Sequence, residues 1–276
     1  MRISHNISAM NTYRQYNTNT VATNRSMEKL SSGSRINRAA DDAAGLSISE
    51  KMRSQIKGLT QATRNAQDGV SLLQTAEGAL NEVSDMLVRL KELSVQVQNG
   101  TYSTTDQANI GSEMSALGTA IEDIFENTKF NGIEVFNTTT AIAYGEGADQ
   151  DVTIAKAELG VDTTVGDVNT LVGLTQAADN DYAAAVLVES ANVEDAITQI
   201  NTLRATYGAQ QNQLEHASNN MATTKENLQA AESRVRDVDM AEEMMSYTKN
   251  NILLQAAQAM LAQANSQPQG VLQLLQ

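Results

Sequence analysis

A chain of 276 residues with no cysteine, no tryptophan, three phenylalanines and one proline lacks the aromatic content of a typical enzyme core and cannot form disulfides or thiolate metal sites. So little proline leaves very long helices uninterrupted. The formal net charge of −14 is uneven: residues 1–38 carry six Lys/Arg against Glu28 alone, while residues 139–195 carry Lys156 against eleven acids. The basic end lacks the aromatic interleaving of a nucleic-acid arm, so no nucleic acid is expected as partner. The acidic stretch reads as a solvated surface.

At the N-terminus, "MRISHNISAMNTYRQYNTNT" has no apolar core of a signal peptide, so export without a cleaved leader is the expectation. No apolar run approaches the ~20 residues of a membrane span. In residues 1–38 the apolar positions (Ile3, Ile7, Met10, Val21, Met27, Leu30) are sparse among Asn, Thr and Ser. Such a segment buries too little surface alone to offset its ordering entropy. It needs a partner, and the Ala/Leu/Met-rich stretch at 240–264 is the obvious one.

"LSSGSRINRAADDAAGLSISEKM" (30–52) then interrupts the pattern with turn formers, Arg35 and Arg38, and small or acidic residues. Asp41 and Asp42 are expected to cap the helix that follows. From Met52 apolar residues recur in sevens (Met52, Leu59, Ala66, Leu73, Leu80, Leu87), with a second track at Ala62, Gly69, Ala76, Val83, Leu90 and Val97. That spacing predicts a packed helix over 45–98, about 80 Å long at 1.5 Å per residue. Asn99-Gly100 ends it. Thr104 and Gln107 read as a capping box for a second helix, whose stripe is Ile110, Met114, Leu117, Ile121 and Phe125. Asn131-Gly132 reads as a turn, and "IEVF", "AIAY" and "DVTIAKAEL" as short strands.

The heptad returns at Val193, Ile200, Tyr207, Leu214, Met221, Leu228 and Val235, with Ala196, Leu203, Ala217, Ala231 and Val238 beside it. A last segment bears Met244, Tyr247, Leu254 and Leu261, and is expected to break at Pro268 and Gly270. The fold class is therefore mainly α. A long coiled-coil-like helical hairpin is expected, with a helical segment at each chain end and a small β-rich middle.

The stretch beginning "LSSGSRINRAADDAAGLSISEKMRSQIKGL" and the end "SRVRDVDMAEEMMSYTKNNILLQAAQAMLAQANSQPQGVLQLLQ" resemble the two terminal regions of bacterial flagellin. With the intervening helices the resemblance covers residues 1–135 and 190–276. It implies a terminal coiled coil or inner tube from 1–42 and 236–276, a helical rod from 43–136 and 190–235, and a short outer segment at 137–189. Polymerisation would run through the terminal helices, with Ile3, Ile7, Met10, Leu253, Leu254 and Leu261 as contact residues, and Arg35, Arg38, Asp41 and Asp42 forming the joint between domains. The implied function is that of a self-assembling subunit of the extracellular flagellar filament. Its implied partners are other copies of itself, the export chaperone, the type III export apparatus, and the filament cap and junction proteins. The resemblance also implies a host Toll-like receptor contact, or a subunit contact at the same face, at Arg89, Leu93, Gln96 and Glu113, although Val88 stands where strong activators commonly have Gln. Some family members carry sugar on the outer surface, which here includes Thr138, Thr139 and Thr140.

Two other readings share parts of this pattern: a hook-filament junction protein with the same terminal segments, and a chemoreceptor-like hairpin, which would need a sensory or membrane segment. His5 and His216 sit in no metal-ligand spacing and there is no H-E-x-x-H. No metal, cofactor or catalytic constellation is expected.

Overall fold

The structure is a computed structural model that describes residues 6–99, 101–145, 151–154 and 190–274. Its elements in chain order are α1 (Ile7–Ser32), α2 (Ala43–Val97), α3 (Thr104–Asn127), β1 (Lys129–Phe130), β2 (Ile133–Glu134), β3 (Thr140–Ala143), β4 (Asp151–Ile154), α4 (Ser190–Arg236) and α5 (Met240–Leu274). The fold is mainly α, as the periodicity predicts, with two small antiparallel hairpins, β1–β2 and β3–β4. The chain forms two compact units: residues 1–56 with 226–276, and residues 57–225. Their division falls within the two long helices, not at a loop.

The 57–225 unit holds the core. Every predicted seam position on α2 from Ala62 to Val97 is buried, facing Val193, Ala196, Ile200, Tyr207, Leu214 and Met221 of α4. Lys91 Nζ meets Glu194 Oε1 at 2.6 Å, while Gly69 lies against Leu214, so the two helices run antiparallel. Gly69 is small because β3 lands there: a Cβ would approach Ile142 Cδ1 to 2.5 Å and Leu214 Cδ1 to 3.1 Å. β3 pairs Ile142 with Val152 of β4, and both side chains are buried in the same core. Tyr207 fills a heptad slot as a neutral phenol, its pKa pushed up to about 12 by burial.

Asn131 and Gly132 both take positive φ, 51° and 81°, the pairing that a two-residue hairpin turn with the right strand twist demands. Of "IEVF", only Ile133 and Glu134 are strand. Val135 and Phe136 turn into the core instead, where the Phe136 ring sits 4.9 Å from that of Phe125. The predicted strand beginning at Asp151 ends at Ile154; the rest of that segment lies outside the described residues.

The α3 cap sits one residue earlier than the sequence suggests. Ser103, not Thr104, is the N-cap: its Oγ accepts from Asp106 N, and the Asp106 carboxylate accepts from Ser103 N at 3.2 Å and Oγ at 2.6 Å. A short aspartate closes the box as well as a Gln would. Hydrogen bonds from the Ser103 hydroxyl and backbone hold the Asp106 carboxyl below its ordinary value. Replacing Ser103 by Ala is expected to cost about 1 kcal/mol of stability at neutral pH. The carboxylate form is the one favoured in the fold, so the cap is complete above about pH 4 and is lost as pH falls through the lowered value. Denaturation of Ser103→Ala and the parent, compared from neutral to acid pH, checks this: the difference should shrink on the acid side.

Candidate assembly surfaces

In the unit of residues 1–56 and 226–276, α1 packs along α5. Asn6 lies by Ala264 and Lys29 by Glu243, 3.8 Å apart, so the helices are antiparallel. The covered face of α1 is Ala9, Thr12, Tyr16, Asn19, Thr23, Ser26 and Leu30, a heptad seam made mostly of polar residues. The facing seam on α5 is Glu243, Tyr247, Asn250, Leu254, Ala257, Leu261 and Ala264. Thr12, Thr20 and Thr23 return their hydroxyls to their own helix, each to a carbonyl four residues back. The seam therefore gains little from apolar burial or from cross-helix hydrogen bonds.

Several large apolar residues point the other way. Ile7, Met10 and Val21 of α1 are exposed, Met10 by 67%. On α5, Met245 is 68% and Ile252 61% exposed, one heptad apart, with Leu253 and Met260 forming a second exposed pair. Sequence reasoning pairs the right two segments, with Tyr247, Leu254 and Leu261 of α5 in the seam, but expects the apolar face of α1 where its polar face lies. The signal was available: Thr12, Asn19 and Ser26 fall at exact sevens. Of the predicted polymerisation residues, Ile7, Met10 and Leu253 lie on open faces, Leu254 and Leu261 lie in the α1–α5 seam, and Ile3 lies outside the described residues.

The predicted break at Pro268 does not occur, since α5 continues to Leu274. A helical proline withholds the N–H that would bond the carbonyl four residues back, here that of Ala264. Asn6 Nδ2 donates to that carbonyl at 2.8 Å, while Asn6 Oδ1 accepts from Ala9 N and caps α1. One side chain thus starts the first helix and repairs the last.

At the 33–42 connector, Gly33 closes α1 in the left-handed conformation with φ 69°. Ser34 and Asp237 form an antiparallel bridge, with Arg35 N donating to Arg236 O at 2.6 Å and Val238 N to Gly33 O at 3.1 Å. The Arg35 guanidinium donates to Val235 O at 2.8 Å. Arg38 holds Glu28 through two bonds of 3.0 Å. The two aspartates divide the work: Asp42 Oδ1 accepts from Gly45 N at 2.9 Å at the start of α2, whereas Asp41 accepts from Asn37 N and Arg38 N and closes the loop before it. Ile36, which sequence reasoning missed, is buried at 1% exposure. It lies over Gly45, where a Cβ would come within 2.8 Å of Ile36 Cδ1, which accounts for the glycine in "AADDAAG". Arg236 meets Glu50 at 2.6 Å and holds that carboxyl below its ordinary value.

The four predicted receptor-contact residues share one region of α2 and α3. Arg89 binds Glu113 and Glu92, each at 3.0 Å, and hydrogen bonds first to Glu92 and then to Glu113 raise its pKa. Gln96 Nε2 donates to the Tyr102 hydroxyl at 3.1 Å. Leu93 is 1% exposed and packs with Leu90 and Met114, so it offers no surface here.

Comparison with known proteins decides the family. Residues 3–141 match the bacterial flagellin N-terminal helical region, and residues 190–275 match the bacterial flagellin C-terminal helical region. The chain belongs to the bacterial flagellin family. It is 48% identical to flagellins of Bacillus subtilis and of Halalkalibacterium halodurans, with 100% of each chain covered in both pairings. A solved structure of a flagellar hook-associated protein from Vibrio parahaemolyticus covers 71% of this chain and 100% of its own with a TM-score of 0.57; at 14% identity the likeness is one of fold alone. A flagellin is a structural protein, and the chain is a self-assembling subunit of the bacterial flagellar filament, which lies outside the cell. No helix among the described residues is long and apolar enough to cross a membrane.

Proposed function

We propose that this flagellin polymerises through the outward faces of α1 and α5, with Ile7, Met10, Met245, Ile252 and Leu253 as the residues that associating copies bury. The carrying observation is that α1 turns mostly polar residues toward α5, while Ile7, Met10, Met245, Ile252 and Leu253 of the two helices stay exposed. Two helices so weakly joined order fully only when neighbours cover them, so folding of the ends is coupled to assembly. Contacts of this kind must be heterologous and non-closing to propagate an open helix of subunits. Leu254 and Leu261 hold α1 in place, and Arg35, Arg38, Asp41 and Asp42 fix the connector leading into α2.

On this reading the terminal segments (1–42, 236–276) form the inner tube, 43–136 with 190–235 the rod, and 137–189 the thin outer face. The loosely joined ends suit a chain exported unfolded or partly folded through the type III apparatus, with the export chaperone covering α5 beforehand. Cap and junction proteins would meet the same terminal helices. A host Toll-like receptor contact falls to the exposed Arg89–Glu113 pair. The chain acts without catalysis.

Charge sets the conditions. The terminal unit has eleven Lys/Arg against ten Asp/Glu, whereas residues 57–225 have eight against twenty-three. Repulsion between copies therefore comes from the 57–225 unit, and salt screens it beyond roughly 8 Å at physiological strength. Electron microscopy of the purified chain with filament seeds, at rising salt, tests the proposal: long tubular filaments are expected, growing faster as salt rises. Short caps on the seeds, with no elongation, would favour a junction protein instead.

A further inference from the structure

The most exposed and the fully buried methionines fall in different units, with Met52 and Met86 partly buried. Met10, Met27, Met240, Met244, Met245 and Met260 all lie in the terminal unit, and each is about half exposed or more, from 49% to 68%. In the 57–225 unit, Met114 and Met221 are buried, at 1% and 5%. A thioether serves as well as a leucine for packing, but its sulfur is nucleophilic and oxidisable. Nothing in the packing of an isolated subunit shields the six, and α5 carries Met244 and Met245 beside Ile252 and Leu253 on one open apolar patch. The chain has no cysteine to be oxidised first.

We infer that these exposed methionines form an oxidation-sensitive modification site, at which peroxide-class oxidants convert the free subunit into a form that cannot assemble. The inference rests on the assembly reading above. In the reaction a methionine sulfur donates its lone pair to one oxygen of hydrogen peroxide. The S–O bond forms as the O–O bond breaks, and the departing hydroxide takes up the remaining proton and leaves as water. Sulfur is oxidised by two electrons and the peroxide reduced by two. The sulfoxide is polar and a strong hydrogen-bond acceptor, so burying it against an apolar neighbour strands that oxygen. A thiol-dependent methionine sulfoxide reductase reverses the change, returning the thioether and water at the expense of two thiols. Subunits already in a filament are protected by the very contacts that the sulfoxide would block, so oxidation acts on free chains.

The test treats the purified full-length chain with hydrogen peroxide, maps sulfoxides by peptide mass spectrometry, and measures seeded polymerisation by sedimentation. Oxygen is expected on Met10, Met27, Met240, Met244, Met245 and Met260 ahead of Met114 and Met221. The pelletable fraction should fall roughly tenfold, and reductase treatment should restore it. A chain with Met10, Met27, Met240, Met244, Met245 and Met260 all replaced by Leu, of similar size and apolarity, is compared only with itself, and its pelletable fraction should be the same before and after peroxide. Undiminished polymerisation of a chain shown to carry the sulfoxides would overturn the inference while leaving the assembly reading intact. Loss of polymerisation that the reductase does not reverse, or that the leucine chain shares, would also overturn it. Failure of the untreated chain to polymerise would overturn the assembly reading, and this inference with it.

Discussion

Met245→Asp combined with Ile252→Asp is expected to abolish filament formation while leaving the free chain as helical and as stable as the parent. Both side chains are more than half exposed in the isolated subunit, and exposed substitutions away from caps and core usually change stability by less than about 0.5 kcal/mol. In an assembled state that buries this face, two carboxylates would enter an apolar contact without partners. Even about 1.4 kcal/mol per site raises the critical concentration roughly tenfold, so the pair should raise it by roughly a hundredfold or more. Circular dichroism of the free chain and sedimentation after seeding separate the two effects. A variant that elongates like the parent would remove α5 from the polymerisation surface.

The opposite pattern is expected for Leu80→Ala. Leu80 is fully buried in the α2–α4 seam, among Ala76, Val83 and the facing residues of α4. Removing its side chain leaves a cavity lined by helices too regular to collapse into it, and about 3 kcal/mol of the stability of residues 57–225 should be lost. Urea denaturation followed by circular dichroism reads this as a lower midpoint. A shift corresponding to less than about 1 kcal/mol would mean that the seam is looser than its burial implies. Together the two variants separate what holds the subunit together from what joins it to its neighbours.

How far the sequence discloses each of these depends on the physical signal involved. The α2–α4 core was legible along α2 from Ala62 to Val97, because a seam buried over that length repeats in sevens; Val88 and Val95 keep the same spacing yet are exposed. Even Gly69, the least obvious member, kept its place in the repeat. The capping box was misplaced by one residue because Ser103, Thr104, Asp106 and Gln107 all suit a helix start, and only geometry selects between the two pairs. Pro268 was misread for a different reason. A proline ends a helix unless something satisfies the carbonyl it leaves open, and here the satisfying group, Asn6, lies 258 residues away. Ile36 gave no periodic signal, since it folds over a connector and not along a helix. The inversion of α1 was the largest departure. Apolar residues suggest an inward face only when the chain is complete by itself, and in a subunit they also mark what a neighbour will cover.

In the proposed assembly, α1 and α5 present apolar faces which other copies bury. A chain with no native cysteine allows a direct measurement: Ile252→Cys places a single thiol on the open face of α5, and its rate of reaction with a small thiol reagent is compared between free chain and filament. Rapid labelling in the free chain, with a rate at least about tenfold lower in filaments, is the predicted result, since exposure governs thiol reactivity at a fixed pKa. Equal labelling rates in the two states, with filaments confirmed by microscopy, would place Ile252 outside every subunit contact and contradict the account.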